Sequence, residues 1–97
     1  MNTEAIVNNE FLRQFEYTTQ NEMARIEYAE QERKIFLTKL SIPKAIQSKE
    51  FEEEFIKTVL EMLGDRNLKV VPTSPKIAGF VRRNKSYKSL VPVGIKL

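Results

Sequence analysis

Between Ser41 and Gly64 the sequence reads SIPKAIQSKEFEEEFIKTVLEMLG, and Phe51, Phe55, Ile56, Val59, Leu60 and Leu63 follow one another at steps of four, one, three, one and three. That spacing lays a single apolar stripe along an α-helix, and the stripe has to be buried against another layer. Ser48 stands where a hydroxyl can accept from the amides of the first turn, and Glu50, Glu52, Glu53 and Glu54 bring carboxylates to the positive end of the helix dipole. Gly64 is expected to end the helix in the left-handed conformation. Directly upstream, KIFLTKLSIP reads as a strand stopped by Pro43, so the unit is strand, short loop, helix start. Junctions of this kind collect phosphate groups, because unpaired amides and the dipole converge there. Here four glutamates crowd the same place, and this conflict bears on every functional reading.

The rest of the chain supplies the layer that such a helix needs. Residues 1 to 10 are polar, with a short strand expected near Ala5 to Val7. FLRQFEYTT, from Phe11 to Thr19, reads as a strand with Phe15 and Tyr17 on one face. Gln20 and Asn21 look like a turn. EMARIEYAEQ then alternates with a period of two, Ala24, Ile26 and Tyr28 opposing Met23, Arg25 and Glu27, as a half-buried strand does. Gln31 and Glu32 are expected to turn the chain into KIFLTKLSI, giving an antiparallel meander of three strands. After the helix, LKVVP carries adjacent β-branched residues typical of a buried strand, and a right-handed crossover would set it parallel to KIFLTKLSI. Ser74 and Pro75 suit the cap and first position of a second, short helix, with Ile77, Phe80 and Val81 at i, i+3 and i+4, ending near Arg83 or Asn84. The fold class expected is mixed α/β in the α+β sense. It comprises one domain over residues 1–97, with a core at about 11–88 and a tail at 89–97 that is either a terminal strand or loosely held.

Composition removes several kinds of chemistry. The chain has no cysteine and no histidine, so there is no thiolate nucleophile, no disulfide and none of the commonest neutral-pH base or metal ligand. No apolar run approaches the ~20 residues of a membrane helix, and the N-terminal segment has no basic region followed by an apolar one. The cytoplasm is the expected compartment. The net charge of +3 hides a segregation, since all 13 acidic residues lie at or before Asp65 and only cations follow it. A basic C-terminal third could face a phosphorylated ligand or nucleic acid, or it could be a solvated surface paired with the acidic helix. With most of the aromatic residues committed to the core, nucleic acid is not the expected partner.

NLKVVPTSPKIAGFVRRNKSY, residues 67–87, resembles the closing segment of the small YjdJ-like branch of the GNAT N-acetyltransferase superfamily. The residues that carry the resemblance are Leu68, Lys69, Val70, Pro72, Pro75, Arg82 or Arg83, and Tyr87. Upstream, FEYTTQNEMARIEYAEQERKIFLTKLSIP is similar to that family's three-strand meander ending in a hydrophobic residue and proline, so the likeness extends over about residues 11–88. It implies acetyl-CoA as cofactor and a small-molecule or peptide amine as acceptor, the amine attacking the thioester directly. Leu40, Ser41 and Ile42 match the positions that line the pantetheine arm. Gln47, Ser48, Lys49, Glu50, Phe51 and Glu52 match those around the diphosphate, with Lys44 or Lys49 placed to offset its charge. The family reads A-L-x-G-x-G-[IV]-[GA] there, whereas this chain reads AIQSKEFE, with every glycine replaced. Glycine serves such loops because a Cβ blocks close approach. Carboxylates within ~5 Å of a diphosphate oppose it by on the order of a kcal/mol or more each. Ser74 stands at the family's cysteine and Asn84 at a frequent histidine. Ser74 as nucleophile and Tyr87 as proton donor to the departing thiolate are the catalytic candidates implied, beside the simpler roles of helix cap and packing.

Overall fold

The computed structural model describes residues 1–97. Its five strands are β1 (Val7–Asn9), β2 (Gln14–Thr19), β3 (Glu22–Gln31), β4 (Lys34–Ser41) and β5 (Lys69–Pro72), in the spatial order β1-β2-β3-β4-β5. The first four run antiparallel and β5 lies parallel to β4, joined to it through helix α1 (Lys49–Gly64). Helix α2 (Pro75–Arg83) follows β5, and short 3₁₀ turns occupy Thr3–Ala5, Lys44–Ile46 and Lys85–Leu90. The short strand expected near Ala5 to Val7 lies at Val7–Asn9, after a 3₁₀ turn at Thr3–Ala5, and by pairing with β2 it lengthens the antiparallel meander to four strands. β2 begins at Gln14, Phe11 to Arg13 being turn with Arg13 at φ 55°.

Two-residue hairpins link the long strands. Gln20 and Asn21 sit at φ 52° and 60°, Glu32 and Arg33 at 51° and 65°, the paired positive values of a type I′ turn. The second turn is thus one residue later than expected: Gln31 pairs with Lys34 as the last rung of β3 and β4. Strand register, set by which residues must face the core, overrides weak turn preference.

The core lies between one face of the sheet and both helices. Phe15, Ala24, Ile26, Tyr28, Ile35, Leu37 and Val70 contribute the sheet side, and Phe55, Ile56, Val59, Leu60 and Leu63 the α1 side, completed by Ile77, Phe80 and Val81 of α2. The stripe read from sequence is therefore the buried one from Phe55 to Leu63, with Phe51 half-buried at its start, and each of its fully buried large side chains contributes about 1.5–3 kcal/mol by leaving water. Tyr17 packs on Phe51 and Phe55, with ring centroids 5.9 and 6.5 Å away.

At the helix ends the structure corrects two expectations. Gly64 is the last residue of α1 and is not left-handed, the positive φ of this turn falling on Asn67 at 61°. Ser74 occupies the cap position of α2 ahead of Pro75, but its hydroxyl makes no capping hydrogen bond. Beyond α2 the chain forms the 3₁₀ segment and no further strand, with Leu90, Val91 and Leu97 packed against the core. On β5, the amides of Lys69 and Thr73 donate to Arg33 and Leu37 on the β4 side. By alternation only Val70 and Pro72 face away, and proline has no N–H to offer. No helix is long and apolar enough to cross a membrane.

Candidate functional site

The site is generated by one extra residue. β3 and β4 pair Tyr28 with Leu37 but Glu27 with Lys39, so Thr38 is bulged out of register. Its hydroxyl donates to the Glu27 carbonyl at 3.2 Å. At the same level β5 leaves the sheet: the Leu37 carbonyl accepts from the amides of Thr73 and Ser74 at 3.1 and 2.9 Å and from the Thr73 hydroxyl at 3.0 Å. The last stretch of β4 therefore has a neighbour on one side only. The Tyr28 amide points toward β2, donating to Arg13 at 2.9 Å, so the odd-numbered residues of β3 face β4 and bond Lys39 and Ser41. Alternation then leaves the amide and carbonyl of Leu40 turned into the gap, without a strand to receive them.

The gap opens into a cleft of about 500 Å³. Leu40, Ser41, Ile42 and Pro43 form one wall, Met23 and Arg25 of β3 continue it, Lys44 and Gln47 come from the loop, and the helices add Glu52 and Lys76. The Glu52 carboxylate accepts from the Gln47 side-chain amide at 3.2 Å and pairs with Lys76 at 3.5 Å, bridging the first turns of α1 and α2. A second bridge, Arg83 to Glu53 at 3.6 Å, runs further along the same two helices. The basic and acidic segments of the sequence thus meet in part on each other.

The structure divides the residues expected at the site. Leu40, Ser41, Ile42, Gln47 and Glu52 come together in the cleft. Ser48 does not line it; its hydroxyl caps α1 by accepting from the Phe51 amide at 3.0 Å, as expected from the sequence. Ser48 and Phe51 instead border a neighbouring hollow with Tyr17 and Ile46. Lys49 is exposed and borders neither, while Glu50 faces a separate depression on the outer side of α1 and α2. Tyr87 borders that same depression, donates its hydroxyl to Glu61 at 3.0 Å and packs on Phe80, so the structure does not bring it to the cleft. Burial and the Glu61 carboxylate both push its phenol above the ordinary value near 10. Ser74 is 4% exposed at the foot of the gap and lines no cleft. Sequence reasoning missed Met23, Arg25 and Lys76. Arg25 reaches the site through its register with Ser41, which the bulge sets, and Lys76 through the approach of α2 to α1; neither is visible as a local pattern.

The implied cofactor divides in the same way. An extended amide chain such as the pantetheine arm fits a strand edge whose Leu40 groups are free and whose walls are partly apolar. The diphosphate does not fit the loop as it stands. The Phe51 amide is already taken by Ser48, side chains occupy the positions where close approach needs glycine, and Glu52 places an anion between the two helix starts. Glu52 is also the one carboxylate lining the cleft, and its hydrogen bond and ion pair already engage it, so no side chain there is poised as a free general base.

No curated protein matches the chain. It does match the family described as GCN5-related N-acetyl-transferase over residues 14–90, which spans β2 to the end of the last 3₁₀ segment and includes both walls of the cleft. With that share of its length matched and a sheet that parts between β4 and β5, the chain belongs to the GCN5-related N-acetyltransferase family.

Proposed function

We propose that this protein is an acetyltransferase-family binding module: it keeps the groove for an extended acyl-amide chain and has lost the seat for the diphosphate of acetyl-CoA. The observation that carries this reading is the occupation of the helix start by the chain's own groups, Ser48 on the Phe51 amide and Glu52 between Gln47 and Lys76. Affinity in the family's chemistry is the sum of an arm and an anion, and here only the arm has a built receptor. In the groove Leu40 would hold the chain by its free amide and carbonyl, while Met23, Ile42 and Pro43 exclude water along it. Acetyl-CoA, were it bound, would supply an activated acetyl thioester, and this chain's residues would contribute orientation of the arm and no proton acceptor in the cleft.

A second reading, acetyl transfer to an amine, is favoured by the cations around the cleft, Arg25, Lys44 and Lys76, which could offset phosphate charge. Calorimetric titration with acetyl-CoA separates the two. Silence at millimolar ligand supports the module. Micromolar binding, accompanied by release of free CoA in the presence of amines, supports the enzyme and overturns the first reading.

A further inference from the structure

We infer that Glu52 is a built-in occupant of an anion seat, and that the cleft takes a diphosphate-class anion once that carboxylate is removed. This rests on the reading above, that the wild-type chain does not seat a diphosphate, and it assigns the decisive part of that exclusion to one of the obstacles named there.

Three observations converge. First, the cleft is cationic apart from Glu52: Arg25, Lys44 and Lys76 line it, and no other carboxylate does. Second, Lys76 is the second residue of α2, a helix with no acidic residue in its first turn. A cation at the positive end of a helix dipole is unfavourable unless an anion compensates it. Third, the compensating anion is Glu52, whose side chain is only 16% exposed and whose Oε1 meets both the Gln47 amide at 3.2 Å and the Lys76 ammonium at 3.5 Å. One oxygen meeting an amide donor and an ammonium between the first turns of two helices reproduces the surroundings of a bound phosphate oxygen. An incoming anion must displace the carboxylate and leave it partly buried without its partners, so the wild-type seat is closed to phosphates although two of its donors, Gln47 and Lys76, are in place.

The glycine-replaced loop and the internal anion make different demands. If the loop alone excluded the ligand, removing the carboxylate would change nothing. If the anion excludes it, the charge-neutral isostere suffices. The test is calorimetric titration of inorganic pyrophosphate into the wild-type chain and into Glu52→Gln at about 50 mM salt, with circular dichroism to verify folding. Glu52→Ala serves as a second variant, so that the result does not depend on how the amide packs. The expected result is at least tenfold tighter pyrophosphate binding in either folded variant than in wild type. That gain should disappear in Glu52→Gln combined with Lys76→Met and should decline as salt is raised. Equal affinity in wild type and both variants overturns the inference, as does a gain that survives loss of Lys76. Micromolar acetyl-CoA binding by the wild-type chain sinks the functional reading instead, whatever the variants do with pyrophosphate.

Discussion

Replacing Glu32 by Asn and Arg33 by Gly is expected to stabilise the domain by about 1–1.5 kcal/mol. Both residues hold φ in the left-handed region, at 51° and 65°, and both carry a Cβ. An L-residue there is disfavoured by roughly 1–2 kcal/mol relative to its right-handed conformation. Glycine escapes that penalty but returns about half of it through the greater freedom of the unfolded chain, and asparagine tolerates the conformation better than glutamate. Nothing offsets the gain: both side chains are exposed and form neither ion pairs nor hydrogen bonds, and the one tertiary bond at this turn, Lys69 N–H to the Arg33 carbonyl at 3.1 Å, uses backbone and is retained. For a domain of 97 residues, 1 kcal/mol moves Tm by about 4–8 °C. Thermal unfolding followed by circular dichroism should therefore show a rise of roughly 4–12 °C in the double variant. Arg33→Ala, which keeps the Cβ, should show none. A double variant no more stable than wild type, or an alanine control that gains as much, would refute the argument that these turns store left-handed strain.

Other consequences concern α1 and the tyrosines. Ser48→Ala removes the hydroxyl that accepts from the Phe51 amide and should cost about 1 kcal/mol in urea unfolding, whereas Ser48→Gly should cost only a few tenths. Phe55→Ala empties a fully buried site beside Tyr17 and Phe51 and should cost about 3–5 kcal/mol in urea unfolding, a large share of the roughly 5–15 kcal/mol typical of a domain. Burial, more than any other cause, raises the phenols of Tyr28 and Tyr87 above the ordinary value of 10, so each favours the folded state fully below about pH 10 and ceases to as pH rises through its folded value. Absorbance titration of the phenolates should show two late-titrating tyrosines in wild type and one in Tyr87→Phe. The opposite sign holds for Glu54, whose carboxyl is lowered by the hydrogen bond and charge of the Met1 ammonium at 2.9 Å. Its contribution is present above about pH 4.5 and is lost as pH falls through the lowered folded value, which acid unfolding of Glu54→Gln against wild type should expose.

What could be read from residues alone follows how locally each feature is encoded. The α1 stripe, the Ser48 cap and the period of β3 rest on spacings within about a dozen residues and the parallel return through β5 on the order of the elements, and each reappears in the structure. The β3–β4 turn does not, because Glu32 and Arg33 have no turn preference and are placed by the pairing of the strands on either side. Nor does the alternation that includes Glu27 tell that its strand is the central one, where Glu27 pairs with Arg25 at 3.7 Å. Half of the cleft comes from the resemblance, which matches Leu40, Ser41, Ile42, Gln47 and Glu52 to family positions, and these five residues line it. Arg25 and Lys76 arrive from elsewhere in the chain, and the Thr38 bulge that opens the gap leaves no mark in composition or periodicity. The resemblance placed Tyr87 by its position in a motif, while its hydroxyl is committed to Glu61, away from the cleft.

Pro72 has a bearing on how copies of this molecule can associate. A sheet can grow into an open filament only if its two outer strands can each recruit another copy, one end templating the next. β5 is four residues long and presents away from β4 a single amide, that of Val70, before proline ends the pattern. On the β5 side recruitment is therefore blunted, and the edges left with groups to offer are the short β1, Val7 to Asn9, and the Leu40 stretch of β4. Continued growth of the sheet past β5 is thus opposed by one imino acid at the far end of the sheet.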